Sequence, residues 1–470
     1  MTIENIDVSS TLKKVKTLIK EEKGLSPATK SMFEILVLII TLLVNRLGLN
    51  SKNSSKPPSN DPNRKKKSKK KKNKKPGGQN GHTGTTLQKI DNPDKTKTIR
   101  LDRSKLPEGA YKEVGYETRQ VFDIDISRVV TEYQAQILED SNGKRFTAPF
   151  PKGIDKAVQY GAKIKAHSVY MSQFQLIPYN RVQDYFIDQL QIPISSGSIF
   201  NFNKEAASFL GDFEGLVKNK LTHSGIVHAD ETGININGKR HWLHCASNDL
   251  WTFFLPHEKR GKEAMDAMGV LPFFSGILCH DHWKPYYKYY CSHALCNAHH
   301  LRELERAWEQ DDKKWAQKLK TLLEEINRAT NNAGGQLEAH ESKKYRQEYR
   351  SILKEAEKES PPPDESKRKG KRGRLKRTKS RNLLERLRDY EKDVLMFMDD
   401  KIVPFTNNQG ENDIRMTKVQ QKISGCFRSM EGANMFCLIR SYLSTCRKQD
   451  ISSSKALDLL FQGNLPDFIN

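Results

Sequence analysis

Apolar positions along the chain repeat first at helical spacing, then lose all period, then alternate between strand and helical spacing. These switches divide the chain into segments. Residues 1–50 carry a helical pattern over 8–49 that closes at Gly48, a residue suited to a C-cap. Within it, Ile35 to Val44 ("ILVLIITLLV") is apolar on every side. Such a helix needs covering by other helices, of this chain or of a second copy. The run falls well short of the about twenty residues that cross a bilayer, so a buried helix is expected there and not a membrane span.

Residues 51–97 have no apolar period. The stretch "NSKNSSKPPSNDPNRKKKSKKKKNKKPGGQNGHTG" is rich in Ser, Pro, Gly and Lys and is expected to be disordered when free. Over 98–155, alternating runs such as "TRQVFDIDI" and "RVVTEYQAQIL" predict a small β-rich module. Helical spacing returns over 156–222. "PYNRVQDYFIDQL", "QIPIS" and "SGSIFNFNKEAASFL" read as helix, tight turn, helix, with Val182, Phe186, Leu190, Ile192, Ile199 and Phe202 on the inner seam. An ordinary helical hairpin and a DNA-reading helix-turn-helix share that layout. In the second case the exposed face of the second helix offers Ser198, Asn201, Asn203 and Lys204 to bases or phosphates.

From 223 the pattern becomes strand-rich. "SGIVHADETGI", "KRHWLHCASN" and "LWTFFLPHE" are three runs parted by Gly-Lys and Asn-Asp turns, an antiparallel meander. "GKEAMDAMGVL" then reads as a helix, "SGILCHD" and "HALC" as strands, and "NAHHLRELERAWEQ" as the start of a long helix. Three antiparallel strands, a helix, then strand and helix in alternation is the order of a ribonuclease H-like α/β fold. Residues 301–400 are almost wholly helical, a large insertion broken by a second basic loop, Lys367 to Arg381. Helical character resumes to about 450, and 451–470 form a C-terminal tail.

Charge narrows the partners. The chain carries 80 Lys and Arg against 57 Asp and Glu, a formal net charge of +23, and concentrates it in blocks. That excess points to a polyanion, nucleic acid before all others. In the block Arg64, Lys65, Lys66, Lys67, Lys69 and Lys70, the like charges repel and oppose folding, but they suit a phosphate backbone. Arg415, Lys418 and Lys422, spaced three and four apart on one helix, would share a face, and Arg428 extends it. Seven cysteines without framework spacing suit a reducing compartment. With no secretory pattern at the N-terminus, a soluble cytoplasmic protein is expected.

Hydrolysis or transfer of a phosphodiester on such a fold calls for two divalent ions about 3.5–4 Å apart, held by carboxylates that converge from separate elements. Asp230 on the first strand, Asp281 at the end of "SGILCHD" and Glu411 at a helix start in "NQGENDIR" meet that need. Each taken singly is also an ordinary strand end, turn residue or helix-dipole partner. Glu231, next to Asp230, points to the opposite face of the strand and is expected to pair with a basic neighbour or water.

At these residues the chain resembles the IS66 family of insertion-sequence transposases. "NSKNSSKPPSND", "KKPGGQNGHTGTTL", "HADETG", "NGKRHWLHCAS", "RGKEA", "HDHWKPYY", "HALCNAHHLREL", "VPFTNNQGENDIRMTKVQQKISGCFRS" and "SYLSTCRKQ" fall in the family's order. The resemblance implies a DDE-type transposase. It implies a catalytic domain over 223–450, Asp230, Asp281 and Glu411 as catalytic and metal-holding acids, and two Mg²⁺ or Mn²⁺ ions. Insertion-sequence ends and target DNA are the implied substrates, with a homo-oligomer on DNA and small accessory proteins of the same element as partners. Its rivals are a nuclease of the same fold without strand transfer, and a DNA-binding regulator with a dead site. Relatives carry a zinc module after the Gly-rich segment, whereas residues 98–155 here contain no cysteine, so thiolate zinc is not expected there. Nor is zinc expected at Cys291, His293, Cys296 and His299, because alternation along "HALC" parts their side chains. Cys296 and His299 are expected instead to brace the site from behind its acids.

Overall fold

Val227 and Ala229 point to one side of their strand and Ile234 and Ile236 to the other, and each set is buried in a different core. The strand around which the domain is organised is therefore covered on both faces. The computed structural model describes every residue except 1, 4, 5, 23, 55–86, 365, 367–374 and 470. The sequence-expected phosphate-binding block from Arg64 to Lys70 lies outside the described residues.

Two short antiparallel pairs come first, β1 (Thr2–Ile3) with β2 (Ile6–Asp7) and β3 (Ile137–Glu139) with β4 (Arg145–Thr147). The main sheet has five strands: β5 (Ile226–Ile236), β6 (Lys239–Ser247), β7 (Thr252–His257), β8 (Ile277–His280) and β9 (Ser292–Leu295). Their order is β7-β6-β5-β8-β9. The first three form an antiparallel meander, and β8 and β9 join parallel to β5. The β5–β6 turn is Asn237-Gly238, one residue earlier than the pattern implied. Both residues have positive φ, 48° and 76°, the twist that a two-residue hairpin requires.

Helices cover the sheet on both sides, so the fold is mixed α/β with a helical majority. Residues Ala162–Val169 (α3), Tyr179–Leu190 (α4), Ser196–Ser208 (α5) and Gly211–Thr222 (α6) follow the N-terminal helices α1 (Val8–Glu21) and α2 (Pro27–Leu47). α7 (Lys262–Met268) links β7 to β8. The insertion comprises α8 (Asn297–Asp311), α9 (Lys314–Asn332), α10 (Ala339–Glu359), α11 (Lys379–Asp389) and α12 (Glu391–Asp399). It has a core of its own around Trp315, Leu319, Tyr349 and Leu384, and it joins the sheet through Cys279, Ala294 and Leu295. The chain closes with α13 (Asn408–Ser424), α14 (Met430–Lys448) and α15 (Ser453–Phe461).

An edge strand leaves a row of backbone groups without sheet partners. At β7 the hydroxyls of α14 answer them: Ser441 Oγ accepts from Phe254 N–H at 2.9 Å and Thr445 Oγ1 from Thr252 N–H at 3.1 Å. The entry to β8 is equally tight. A Cβ on Gly276 would stand 2.6 Å from the Gly225 carbonyl oxygen and 2.7 Å from that of Ser224. Backbone cannot swing aside as a side chain can, so Gly276→Ala should destabilise the domain by about 2–3 kcal/mol. Urea denaturation checks this, and an unchanged midpoint would refute the close approach.

Three segments differ from the sequence reading. Of the β-rich module expected over 98–155, strand structure is confined to β3 and β4, three residues each. Its alternating apolar residues, Val121, Ile124, Val129 and Val130 among them, are exposed, because among the described residues no second layer lies against them. The apolar run at 35–44 belongs to a 21-residue helix, α2, which by length and composition is long enough to cross a membrane. It was expected to be buried, yet among its described residues Val37 is the buried one, while Leu36, Ile39 and Leu43 are exposed.

The third difference is at α5. Val182, Phe186, Ile199 and Phe202 are buried as the seam requires, but Asn203 is buried with them. Four residues on from Ile199, it falls on the same inward stripe. Its Nδ2 donates to Tyr179 Oη at 2.8 Å and its Oδ1 accepts from Ser172 Oγ at 3.2 Å. Asn203 is therefore a core residue and not a base-reading one. Asn201 is exposed, and Lys204 is paired with Glu431 at 2.8 Å.

Candidate active site

Asp230 and Glu231 are consecutive on β5, and the strand separates their roles. Asp230 faces α13, while Glu231 turns toward the segment after β8. There the side chain of Glu231 is 2% exposed. Its Oε1 accepts from Arg260 Nε at 2.9 Å and Nη2 at 2.6 Å, and its Oε2 from Tyr286 Oη at 2.6 Å. Burial, with Glu231 beside it, keeps the Tyr286 phenol far above its usual range, so it stays a donor. The Arg260 guanidinium lies between two indoles, 4.9 Å from the Trp242 ring and 4.3 Å from Trp283. The basic neighbour expected for Glu231 is Arg260.

Asp281 follows the last residue of β8, in the strand next to β5. Its Oδ1 accepts from Trp283 N–H at 3.1 Å, the short loop contact that aspartate favours. His282 between them takes φ of +70°. Glu411 stands in the first turn of α13. A Cβ on its neighbour Gly410 would lie 3.5 Å from Asp230 Cβ, so the helix start passes directly over the first acid.

Asn407 holds that approach. Its Nδ2 donates to Ala229 O at 2.9 Å on β5, and its Oδ1 lies 2.8 Å from His228 Nδ1. With the amide nitrogen used on Ala229, the oxygen takes the proton of His228 Nδ1. Burial holds that imidazole below its usual range and hence neutral. Asn407 N–H in turn donates to Cys296 Sγ at 3.1 Å, joining α8 to the same anchor.

The electrostatics follow from this crowding. The Asp230 carboxyl is pushed up to about 8, first by burial, then by the charges of Glu231, Asp281 and Glu411. The Glu231 backbone N–H, which donates to Asp230 Oδ1 at 2.9 Å, offsets this in part. Such a site is stable with a proton or with a cation, and carboxylate oxygens are the donors that Mg²⁺ and Mn²⁺ favour. The residues fit a divalent metal.

Cys296 and His299 lie where they can touch Glu411: His299 Nδ1 is 3.8 Å from Glu411 Oε1, and Arg302 Nη2 is 3.9 Å from the same oxygen. Cys291 and His293 stand apart from them, with His293 Nδ1 at 3.1 Å from His280 Nε2. The basic face on α13 is only partly free. Arg415, Lys422 and Arg428 are exposed, but Lys418 Nζ donates to Gly233 O at 2.6 Å. With Arg240 it lines a polar hollow of about 370 Å³. In the second basic loop, Arg377 and Arg381 both pair with Glu385.

Arg260, Tyr286 and Asn407 were not singled out from the sequence. Each lies inside a string matched to the family ("RGKEA", "HDHWKPYY", "FTNNQGEND"), and that is the sequence feature by which they could have been found.

Comparison with known proteins gives two matches. Residues 9–88 match a family of unknown function, DUF6444. No curated protein matches the chain. Residues 157–435, from the helices before the sheet to the first part of α14, match the model of the transposase IS66 family. The chain belongs to the IS66 family of transposases, whose substrate is DNA.

Proposed function

We propose that the chain is a DDE transposase that cleaves DNA at the ends of its insertion sequence and joins the freed 3′ hydroxyl to target DNA. The observation that carries this reading is the convergence of Asp230 on β5, Asp281 at the end of β8 and Glu411 at the start of α13, where the charges of Asp281 and Glu411 oppose ionisation of the buried Asp230. The strand order β7-β6-β5-β8-β9, antiparallel across three strands and parallel across the rest, supports a ribonuclease H-like fold. In that fold Asp230, Asp281 and Glu411 would hold two Mg²⁺ or Mn²⁺ ions. When bound, such ions activate the attacking oxygen and stabilise the leaving one.

The protein's own residues supply position and charge. Asp230 and Asp281 extend from neighbouring parallel strands, and Asn407 presses the start of α13 against them. Arg415, Lys422 and Arg428 are placed to neutralise phosphates of the bound strand. Of the α5 residues considered for base reading, Asn201 is exposed and available to DNA, and Lys204 is exposed but paired with Glu431. The exposed apolar helix α2 supports self-association on DNA, since a surface of that kind seldom stays bare. Action in the cytoplasm, alone or with accessory proteins of the element, completes the reading.

The test is to incubate the full chain with Mg²⁺ and DNA bearing the element's ends. Joined products are expected. Cleavage without joining would make the protein a nuclease, and a mobility shift without cleavage a DNA-binding regulator.

A further inference from the structure

Three different donor side chains meet at the junction of α8 and α13. Cys296 caps the first helix, His299 lies in its first turn and Glu411 in the first turn of the second. One sulfur, one ring nitrogen and one carboxylate oxygen all lie within 4.8 Å of one another. His299 Nδ1 and Glu411 Oε1 are both buried and neither has a hydrogen-bond partner. His299 Nδ1 at 3.8 Å and Arg302 Nη2 at 3.9 Å both stand beyond hydrogen-bond reach of Glu411 Oε1, and a cation between His299 and Glu411 would satisfy the two buried atoms directly.

We infer that Cys296, His299 and Glu411 form a binding site for a zinc-class cation. The donor set decides the class. Thiolate and imidazole favour Zn²⁺ and Co²⁺ over Mg²⁺ or Ca²⁺, which prefer oxygen alone. One thiolate and one carboxylate balance the two positive charges, and the neutral imidazole completes three protein ligands. The fourth tetrahedral position stays open to water or a substrate oxygen. Donor atoms around a tetrahedral zinc stand about 3.5 Å apart, so the three need only a small closure.

Burial holds the Cys296 thiol up to about 11, so a bound cation must itself displace the proton, and backbone donors then face the sulfur. Cys296 is 1% exposed, and Asn407 N–H points at its sulfur from 3.1 Å. The sulfur also sits at a helix N-terminus, where negative charge is favoured. The cluster differs from the zinc grouping considered from the sequence, because Glu411 replaces Cys291 and His293. It also shares Glu411 with the acids of the candidate active site, so a zinc ion here and a cation held by Asp230 and Asp281 draw on one carboxylate. The site needs neither Asp230 nor Asp281, and Glu411 is the one residue it has in common with the proposed transposase chemistry.

Co²⁺ titration of the metal-stripped full chain tests it. One equivalent should bind with a thiolate-to-cobalt charge-transfer band and tetrahedral visible bands, and Zn²⁺ should displace it. Cys296→Ala should remove the charge-transfer band, and His299→Ala should weaken binding by at least about tenfold. Should Cys296→Ala fail to fold, Cys296→Ser keeps the side-chain volume and the acceptor for Asn407, and should likewise lack the band. Absence of the band in the unmodified chain would overturn the site, as would a band that survives Cys296→Ala and disappears in Cys291→Ala. Asp230→Asn should keep the band, so loss of DNA joining and loss of the cobalt signal are read separately.

Discussion

Asp230→Asn should abolish DNA joining, by at least about a thousandfold, and at the same time make the metal-free protein more stable at neutral and alkaline pH. The two effects have one cause. The Asp230 carboxyl titrates near 8 in the fold against an ordinary 3.8, because burial and then Glu231, Asp281 and Glu411 oppose its charge. A raised pKa means that the folded chain holds this proton more tightly than the unfolded chain does. The associated stability is therefore complete below about pH 4 and is progressively lost as pH rises to about 8. Asparagine keeps the shape of the protonated acid and has no charge to develop. The variant should gain about 1–3 kcal/mol over the unmodified chain at about pH 8 and above, and little at about pH 4.

Mg²⁺ should stabilise the unmodified protein and leave Asp230→Asn almost unaffected. Thermal denaturation across pH, with and without Mg²⁺, reads both effects beside a joining assay. Asp281→Ala should lose joining too while still retaining DNA. Joining by either variant would sink the assignment of the three acids.

Arg260→Ala should destabilise the domain by about 2–3 kcal/mol, less than the about 3–5 of a fully buried pair, since the Arg260 side chain is 39% exposed. The variant strands the Glu231 carboxylate, 2% exposed, with Tyr286 Oη as its remaining hydrogen-bond donor. It also removes the cation from between Trp242 and Trp283. Trp283 N–H holds Asp281, so the second acid should loosen as well. Adding Glu231→Gln should recover much of the loss, because a neutral amide tolerates burial without a counter-charge. Urea denaturation of the two single variants and the double variant closes the cycle. A loss under about half a kcal/mol for Arg260→Ala would show that Glu231 does not depend on it.

Features carried by neighbours in the chain were legible in the sequence. The strand start at Ile226, the hairpin to β6, helix α8 and the opposite faces of Asp230 and Glu231 all follow from periods of two and 3.6. Contacts between distant segments were not. Asn203 has the composition of a DNA-reading residue, and only the packing of α5 against Tyr179 and Ser172 shows that it is inward. Alternation over 98–155 suggested strands, but alternation needs a second layer before it stabilises a sheet. The sequence placed Cys296 and His299 behind the acids without showing that their partner is Glu411. That pairing depends on α13 crossing back over β5, with Asn407 as the anchor.

That crossing also sets an order in time. Asn407 bonds Ala229 across 178 residues of chain, and the whole helical insertion is made between them. Domains fold as they leave the ribosome, N-terminal parts first. The strands bearing Asp230 and Asp281 are therefore synthesised well before the segment bearing Glu411 exists, and before the α14 hydroxyls that satisfy the β7 edge. Chemistry that needs all three acids must wait until the last helices are synthesised. On the proposed assignment, any product truncated within the insertion would carry two acids of the three and be unable to cut.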